Sequence, residues 1–218
     1  MRRTKAEAEE TRTRLLDIAE QLFFEHGVSP VTLEKIAAAA GVTRGAIYYH
    51  FPKKADILRA LDAQASVDIE RLFEQALQED SPDPLGLACN LALEAMRLIA
   101  TDDRRQRIFS VLLRSDYRGE LAELLKWKQE INERYHSQTI RLFEAAHAKG
   151  HLNAIWQPGV AARLYDWFFI GLLFDWLDDP RAFDVLTKCQ EALTALLASW
   201  SSPTRLAIAP PWPAAQLG

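Results

Sequence analysis

The chain has 218 residues, of which 49% are hydrophobic and 26% charged, enough for one sizeable core or two modest domains. Its two cysteines, Cys89 and Cys189, are far apart, which excludes a disulfide scaffold and suits a reducing compartment. Net charge is −4, but residues 1–60 carry ten Lys/Arg against eight Asp/Glu, while the remainder carries sixteen against twenty-two. A protein basic all over is excluded, and only the N-terminal part is suited to an anionic partner.

The start MRRTKAEAEETR has no apolar run behind its basic residues, so no secretory signal is expected there. The longest apolar run, WFFIGLLF, spans Trp167 to Phe174 and is bounded by aspartates. A membrane-spanning helix needs about 20 apolar residues, so no membrane span is expected and the protein is placed in the cytoplasm.

Helical periodicity dominates the chain. The first helix carries Leu15, Ile18, Ala19, Leu22 and Phe23 at helical spacing and stops at Gly27. Thr32 caps a short helix, LEKIAAAA, with Glu34 against its positive end, and Gly41 ends it. Thr43 caps the next, which ends near Phe51, and Pro52 starts another around Lys53. That fourth helix runs to about Gln78, and at about 1.5 Å per residue it spans nearly 40 Å. Asp83 and Pro84 open a helix to about Thr101, and another covers Asp103 to about Ser115. Long helices follow over Gly119–Lys149, Pro158–Asp178 and Pro180–Trp200. The expected fold is all-α with about nine helices. Residues 1–53 form a three-helix head, 54–200 a larger helical domain and 201–218 a disordered, proline-rich tail.

The stretch GVTRGAIYYHF, Gly41 to Phe51, carries the chemistry. On a helix, Arg44, Gly45, Tyr48 and Tyr49 share one arc, while Ala46, Ile47 and His50 fall opposite. Ile47 is the natural anchor, so the Arg/Gly/Tyr arc faces outward. A helix–turn–helix has this plan: one helix braces and the second enters the major groove of DNA. Gly45 removes a side chain where another surface must come close. Thr32, Thr43, Tyr48 and Tyr49 offer hydroxyls to phosphates, and Arg44 matches guanine in bidentate fashion. Lys54, at the next helix start, suits a phosphate. Each residue alone has a plainer reading as a packed tyrosine, a structural histidine or a surface charge. The combination is more specific than its parts.

The segment TRTRLLDIAEQLFFEHGVSPVTLEKIAAAAGVTRGAIYYHFPKKADIL resembles the N-terminal domain of the TetR family of transcriptional repressors. MRRTK, TDDRRQRIFSVLLRSD and GLLFDWLDDPRAFD are similar to the subgroup that represses multidrug efflux operons. The resemblance implies a homodimer on a palindromic double-stranded operator, released when a hydrophobic small-molecule effector binds the C-terminal ligand-binding and dimerisation domain. No cofactor or metal is implied. By matching position, Thr32, Thr43, Arg44, Gly45, Tyr48, Tyr49, His50 and Lys54 take operator-contacting roles. Tyr49 stands where the subgroup usually has Trp, Pro52 where Lys or Arg is common, and Ile170 where some relatives place a ligand-binding Asp. The rear helices are then expected to enclose a ligand site formed from Leu61, Ile69, Met96, Phe109, Leu113, Trp127, Ile131, Phe168 and Leu172. For each of these, ordinary core packing is the alternative. Trp167, Ile170, Gly171 and Phe174 recur at helical spacing as a dimer seam or, alternatively, as intrachain core.

Two E-x-x-H matches, Glu133/His136 and Glu144/His147, raise di-iron chemistry. The copies sit eleven residues apart on one helix, about 16 Å by helical rise, too far to share a metal pair. With no phosphate loop, nucleophile elbow or zinc spacing, the sequence is not expected to encode an enzyme. Alternatives to efflux control are a TetR-type regulator of lipid or aromatic metabolism and a helical apolar-ligand carrier that ignores DNA. A carrier has no use for the outward Arg44/Tyr48/Tyr49 arc.

Overall fold

The computed structural model describes residues 5–78 and 80–203. Among them the regular structure is helical: α1 (Lys5–His26), α2 (Leu33–Ala39), α3 (Arg44–His50), α4 (Lys54–Ala76), α5 (Pro84–Ala100), α6 (Asp103–Arg114), α7 (Glu123–Ala148), α8 (Pro158–Asp178) and α9 (Val185–Trp200). The only pairing of extended backbone among these residues is an isolated antiparallel bridge, Leu152 to Ser201.

Most boundaries follow from local capping. Thr32 Oγ1 accepts from Lys35 N and Thr43 Oγ1 from Ala46 N, each at 3.2 Å, so both short helices have a satisfied N-terminus. Gly41 closes the turn between them at φ +66°, a left-handed conformation open to glycine at little cost. Pro84 and Pro158 sit in the first turns of α5 and α8, where a missing N–H is harmless. Two boundaries differ from expectation. Gly119–Leu121 forms a separate 3₁₀ turn, and α7 starts only at Glu123. The last helix starts at Val185, five residues after Pro180, because the Asp184 carboxylate caps it, accepting from Leu186 N at 3.1 Å and Thr187 N at 3.4 Å. Upstream, the Pro180 carbonyl accepts from the Trp176 indole at 3.2 Å instead of entering a helix.

The chain divides into two compact units, and neither matches the expected 1–53 and 54–200 partition. One comprises Met1–Val67 with Asp103–Lys128; the other comprises Asp68–Asp102 with Gln129–Gly218. Both α4 and α7 are continuous helices that belong partly to each.

In the first unit, Leu15, Leu16, Phe23, Ile36, Ile47, Phe51, Ile57, Leu58 and Leu61 form one core with Ile108, Val111, Leu121 and Leu124. Helix α6 packs on α1 and contributes charge as well as apolar area. Glu20 on α1 is 2% exposed and pairs with Arg107 and with Arg104 Nε at 3.4 Å; Arg104 Nη2 also reaches Asp17 at 2.7 Å. Through Ile108, Val111 and Leu112, α6 adds an apolar side to the core around the three-helix head.

In the second unit, α5 packs on α9 and α9 on α8. Tyr165 Oη donates to the Ala88 carbonyl at 2.7 Å, and the Phe143 ring meets Tyr165 and Trp200 edge-on at 5.8 and 6.0 Å. The first residues of the tail expected to be disordered, 201–203, belong to the described structure. Ser201 and Ser202 are buried, and Ser202 N donates to His151 O at 2.7 Å. Residues 204–218 lie outside the described residues.

Candidate nucleic-acid interface

Helix α3 has one inward anchor, Ile47, which is fully buried against the core of the first unit. With Ile47 fixed inward, the 100° step turns Arg44, Gly45, Tyr48 and Tyr49 outward. The Arg44 side chain is 74% exposed and the Tyr49 residue 79%, while Tyr48 is 39% exposed. The Arg44 guanidinium lies over the Tyr48 ring, 5.5 Å from its centre. His50 is half-buried, with Tyr49 edge-on at 5.0 Å and Phe51 tilted at 6.4 Å. Thr32 and Thr43 stand at the starts of α2 and α3 with their oxygens engaged in capping.

A Cβ built on Gly45 meets nothing nearer than Thr43 Oγ1 at 4.0 Å, so the fold itself does not demand glycine there.

Lys54 is placed differently from expectation. It is buried, and its ammonium donates to the Val28 carbonyl at 2.9 Å and the Ser29 carbonyl at 3.1 Å, and pairs with Glu120. An ammonium has three donors. With those three acceptors in place, Lys54 pins the loop after α1 to the start of α4 instead of presenting charge to a phosphate. Arg2 and Arg3 lie outside the described residues.

In sequence Glu34 is only a favourable charge at a helix start. In the structure it joins the site: its Oε1 accepts from Tyr48 Oη at 2.8 Å and lies 3.3 Å from Arg44 Nε. Its own backbone N–H, then the Tyr48 hydroxyl and the Arg44 charge, hold its carboxyl below the usual range. No spacing rule connects residues fourteen apart across a turn, so this contact was not legible in advance.

In the second unit, Trp167, Ile170, Gly171 and Phe174 all lie on the exposed side of α8, with Trp167 65% exposed. Val160, one heptad before Trp167, extends the same apolar stripe and was missed for want of a heptad count. The nine residues expected around a ligand divide between the two units. Leu61 is fully buried in the first unit's core, with Phe109 and Trp127 packed against that core and Leu113 half-buried. Ile69 and Met96 are buried in the second unit, where Ile131, Phe168 and Leu172 are half-buried. A cavity of about 480 Å³ does open in the second unit, between α4, α5 and α9, and its walls include Leu72, Leu87, Leu91, Leu186 and the Glu94–Arg97 ion pair but none of those nine.

Of the two E-x-x-H copies, the first is engaged elsewhere: His136 Nδ1 lies 2.6 Å from Asp166 Oδ2 on α8. Burial pushes the Asp166 carboxyl up, opposed by hydrogen bonds from His136 and Thr139. Among the described residues no group of three or more His, Cys, Asp or Glu is placed to hold a metal ion, and no helix is long and apolar enough to cross a membrane.

Comparison with known proteins agrees with this geometry. Residues 15–61 match the model for bacterial regulatory proteins of the tetR family. The HTH-type transcriptional repressor BepR of Brucella suis is 36% identical over 207 residues, 94% of this chain and 99% of its own. The crystal structure of NalD, the secondary repressor of the MexAB-OprM multidrug efflux pump in Pseudomonas aeruginosa, superimposes with a TM-score of 0.83 at 34% identity, covering 91% of this chain and all of that one. A SmeT–triclosan complex superimposes with a TM-score of 0.79 at 28% identity, covering 89% of this chain and 93% of that one. SmeT is the repressor of the Stenotrophomonas maltophilia multidrug efflux pump SmeDEF. With a helix–turn–helix whose recognition face is open and a relative matched along almost its whole length, the chain belongs to the TetR family of bacterial regulatory proteins and is a DNA-binding transcriptional repressor.

Proposed function

We propose that this repressor controls a multidrug efflux operon from a palindromic operator, binds it as a homodimer in the cytoplasm, and leaves it when an apolar small molecule occupies the second unit. The reading treats the chain as a non-catalytic sensor. The observation that carries the DNA half is the exposed Arg44/Gly45/Tyr48/Tyr49 face, with a glycine that no internal contact requires. In this reading Arg44 contacts a guanine edge, and Thr32, Thr43, Tyr48, Tyr49 and His50 contact the backbone or position those that do.

The dimer half rests on the apolar stripe of α8. Trp167, Ile170 and Phe174 are large, exposed and on one side of one helix, an arrangement that a soluble chain covers with a second copy. A two-fold pair then presents two recognition helices to major grooves about 34–36 Å apart.

The effector half rests on similarity to repressors of efflux pumps, one of them crystallised with triclosan. Helix α4 offers the route, since one continuous helix starts at the recognition head and ends at a wall of the 480 Å³ cavity. An effector that displaces the rear of α4 changes the placement of the heads. It lowers DNA affinity only by as much as it prefers the non-binding conformation.

The test is binding of purified protein to the DNA upstream of its own gene, with triclosan as the probe effector. Tight binding that falls steeply with salt and weakens with triclosan supports the reading. Equal triclosan affinity for free and DNA-bound protein contradicts induction by that probe. Unchanged pump-gene transcription on deleting the repressor gene contradicts the efflux assignment.

A further inference from the structure

The recognition face contains one residue whose charge opposes its task. Glu34, from the bracing helix α2, stands beside two residues of the outward face, Arg44 and Tyr48. One carboxylate oxygen takes the Tyr48 hydroxyl at 2.8 Å and the Arg44 Nε at 3.3 Å. Arg44 and Tyr48 are one turn apart on α3, and the guanidinium caps the ring at 5.5 Å. The three side chains therefore form a closed triangle on the surface. Thr32, the N-cap of α2, lies two residues before Glu34 and accepts from Lys35 N at 3.2 Å. An exposed carboxyl is ionised at neutral pH, and Glu34's own backbone N–H, the Tyr48 hydroxyl and the Arg44 charge hold this one lower still.

Two physical effects follow. An exposed arginine samples many rotamers, and a partner that restricts it leaves less freedom to lose on binding. A fixed negative charge on a face that meets phosphates also repels every duplex within about 8 Å, the screening length at physiological salt. On the operator the same carboxylate also organises Arg44 for base contact, so removing it relieves repulsion but gives up that organisation. On unrelated sequence only attraction to phosphate holds the head, and the repulsion is felt in full.

We propose that Glu34 is a positioning residue that sets operator specificity: it holds Arg44 and Tyr48 ready for base and phosphate contact, and its charge weakens binding to duplexes that lack the operator. The proposal rests on the DNA-binding reading above. Its rival is a bracing role alone, in which Glu34 only ties α2 to α3.

The test compares wild type, Glu34→Gln and Glu34→Ala by fluorescence anisotropy. Each is titrated with a palindromic duplex selected in vitro by the wild type and with a scrambled duplex of equal length. Glu34→Gln keeps an acceptor for Tyr48 and removes the charge. At about 0.15 M salt it is expected to bind scrambled duplex roughly three- to tenfold tighter, while operator affinity changes less, so the specificity ratio falls. Glu34→Ala is expected to lower the ratio further, because Arg44 and Tyr48 are also released. Circular dichroism and melting temperature identify any loss of fold. A ratio unchanged in both variants, with affinities constant or shifted equally, overturns the proposal in favour of the brace. Failure of the wild type to select any duplex overturns the regulator reading itself, and this proposal with it.

Discussion

Arg107 of α6 donates its Nε to the carboxylate of Glu20 on α1, a group only 2% exposed. Arg104, one turn earlier, holds the other oxygen of the same carboxylate at 3.4 Å. A charge this deep persists only while its partners remain. The recognition head is thus tied to a helix more than 80 residues downstream, and its stability depends on that helix. Replacing Arg107 by Ala is expected to cost about 2 kcal/mol, and replacing both arginines about 3–5 kcal/mol, read as lower denaturant midpoints. A double variant as stable as wild type would show that Glu20 is not held by these partners.

Lys54 separates structural from phosphate-binding lysines. Its ammonium is committed to the Val28 and Ser29 carbonyls and to Glu120. Lys54→Ala orphans two carbonyls and should cost about 1–3 kcal/mol in urea titrations. The salt dependence of DNA binding should stay within error of wild type. A lysine touching phosphate would instead lower the slope of log K against log salt by about one.

For Gly45 the prediction separates stability from binding. Alanine there meets nothing nearer than the Thr43 hydroxyl at 4.0 Å, and alanine is the better helix former by up to about 1 kcal/mol. Gly45→Ala should melt at or above the wild-type temperature and bind the operator at least tenfold more weakly. Retained affinity would mean that no surface comes close at this position.

On α8, Gly171 also has no neighbour within 4 Å of a built Cβ, so its bulk is not limited from within the chain. Gly171→Leu and Trp167→Glu should leave helicity unchanged and shift the protein from dimer to monomer in sedimentation velocity, with operator affinity falling alongside. A stable dimer in both variants would move the interface away from this stripe.

Burial pushes the Cys189 thiol up to about 12 from an ordinary 9.0. The thiolate is the nucleophile, so near neutral pH folded protein holds roughly a thousandfold less of it at this site than an exposed cysteine would. Alkylation of Cys189 by iodoacetamide at pH 8 should be negligible until urea unfolds the chain. The raised value also has a sign for stability. Below about 9 the thiol is protonated in both states and its contribution is intact; as pH rises toward about 12 the unfolded chain loses that proton first, and folding weakens. A Cys189→Ala variant should lose less stability over that interval than wild type.

Capping and periodicity act within about four residues, so they can be read directly from the chain. Thr32, Thr43, Gly41, Pro84 and Pro158 determined where four of the helices begin or end, and Ile47 determined which side of α3 faces out. The recognition head and the apolar stripe of α8 were legible for that reason. Tertiary structure alone decided the rest. The partners of Glu20 lie 84 and 87 residues away, those of Lys54 lie across a loop or on the 3₁₀ turn after α6, and Glu34 meets α3 across a turn. The start of α9 at Val185 instead of near Pro180 is by contrast a local cap, Asp184 accepting from Leu186 N and Thr187 N, that the chain also carries. Local hydrogen bonds carry no information about which distant surfaces will meet; chain closure and the burial of a shared core choose among them.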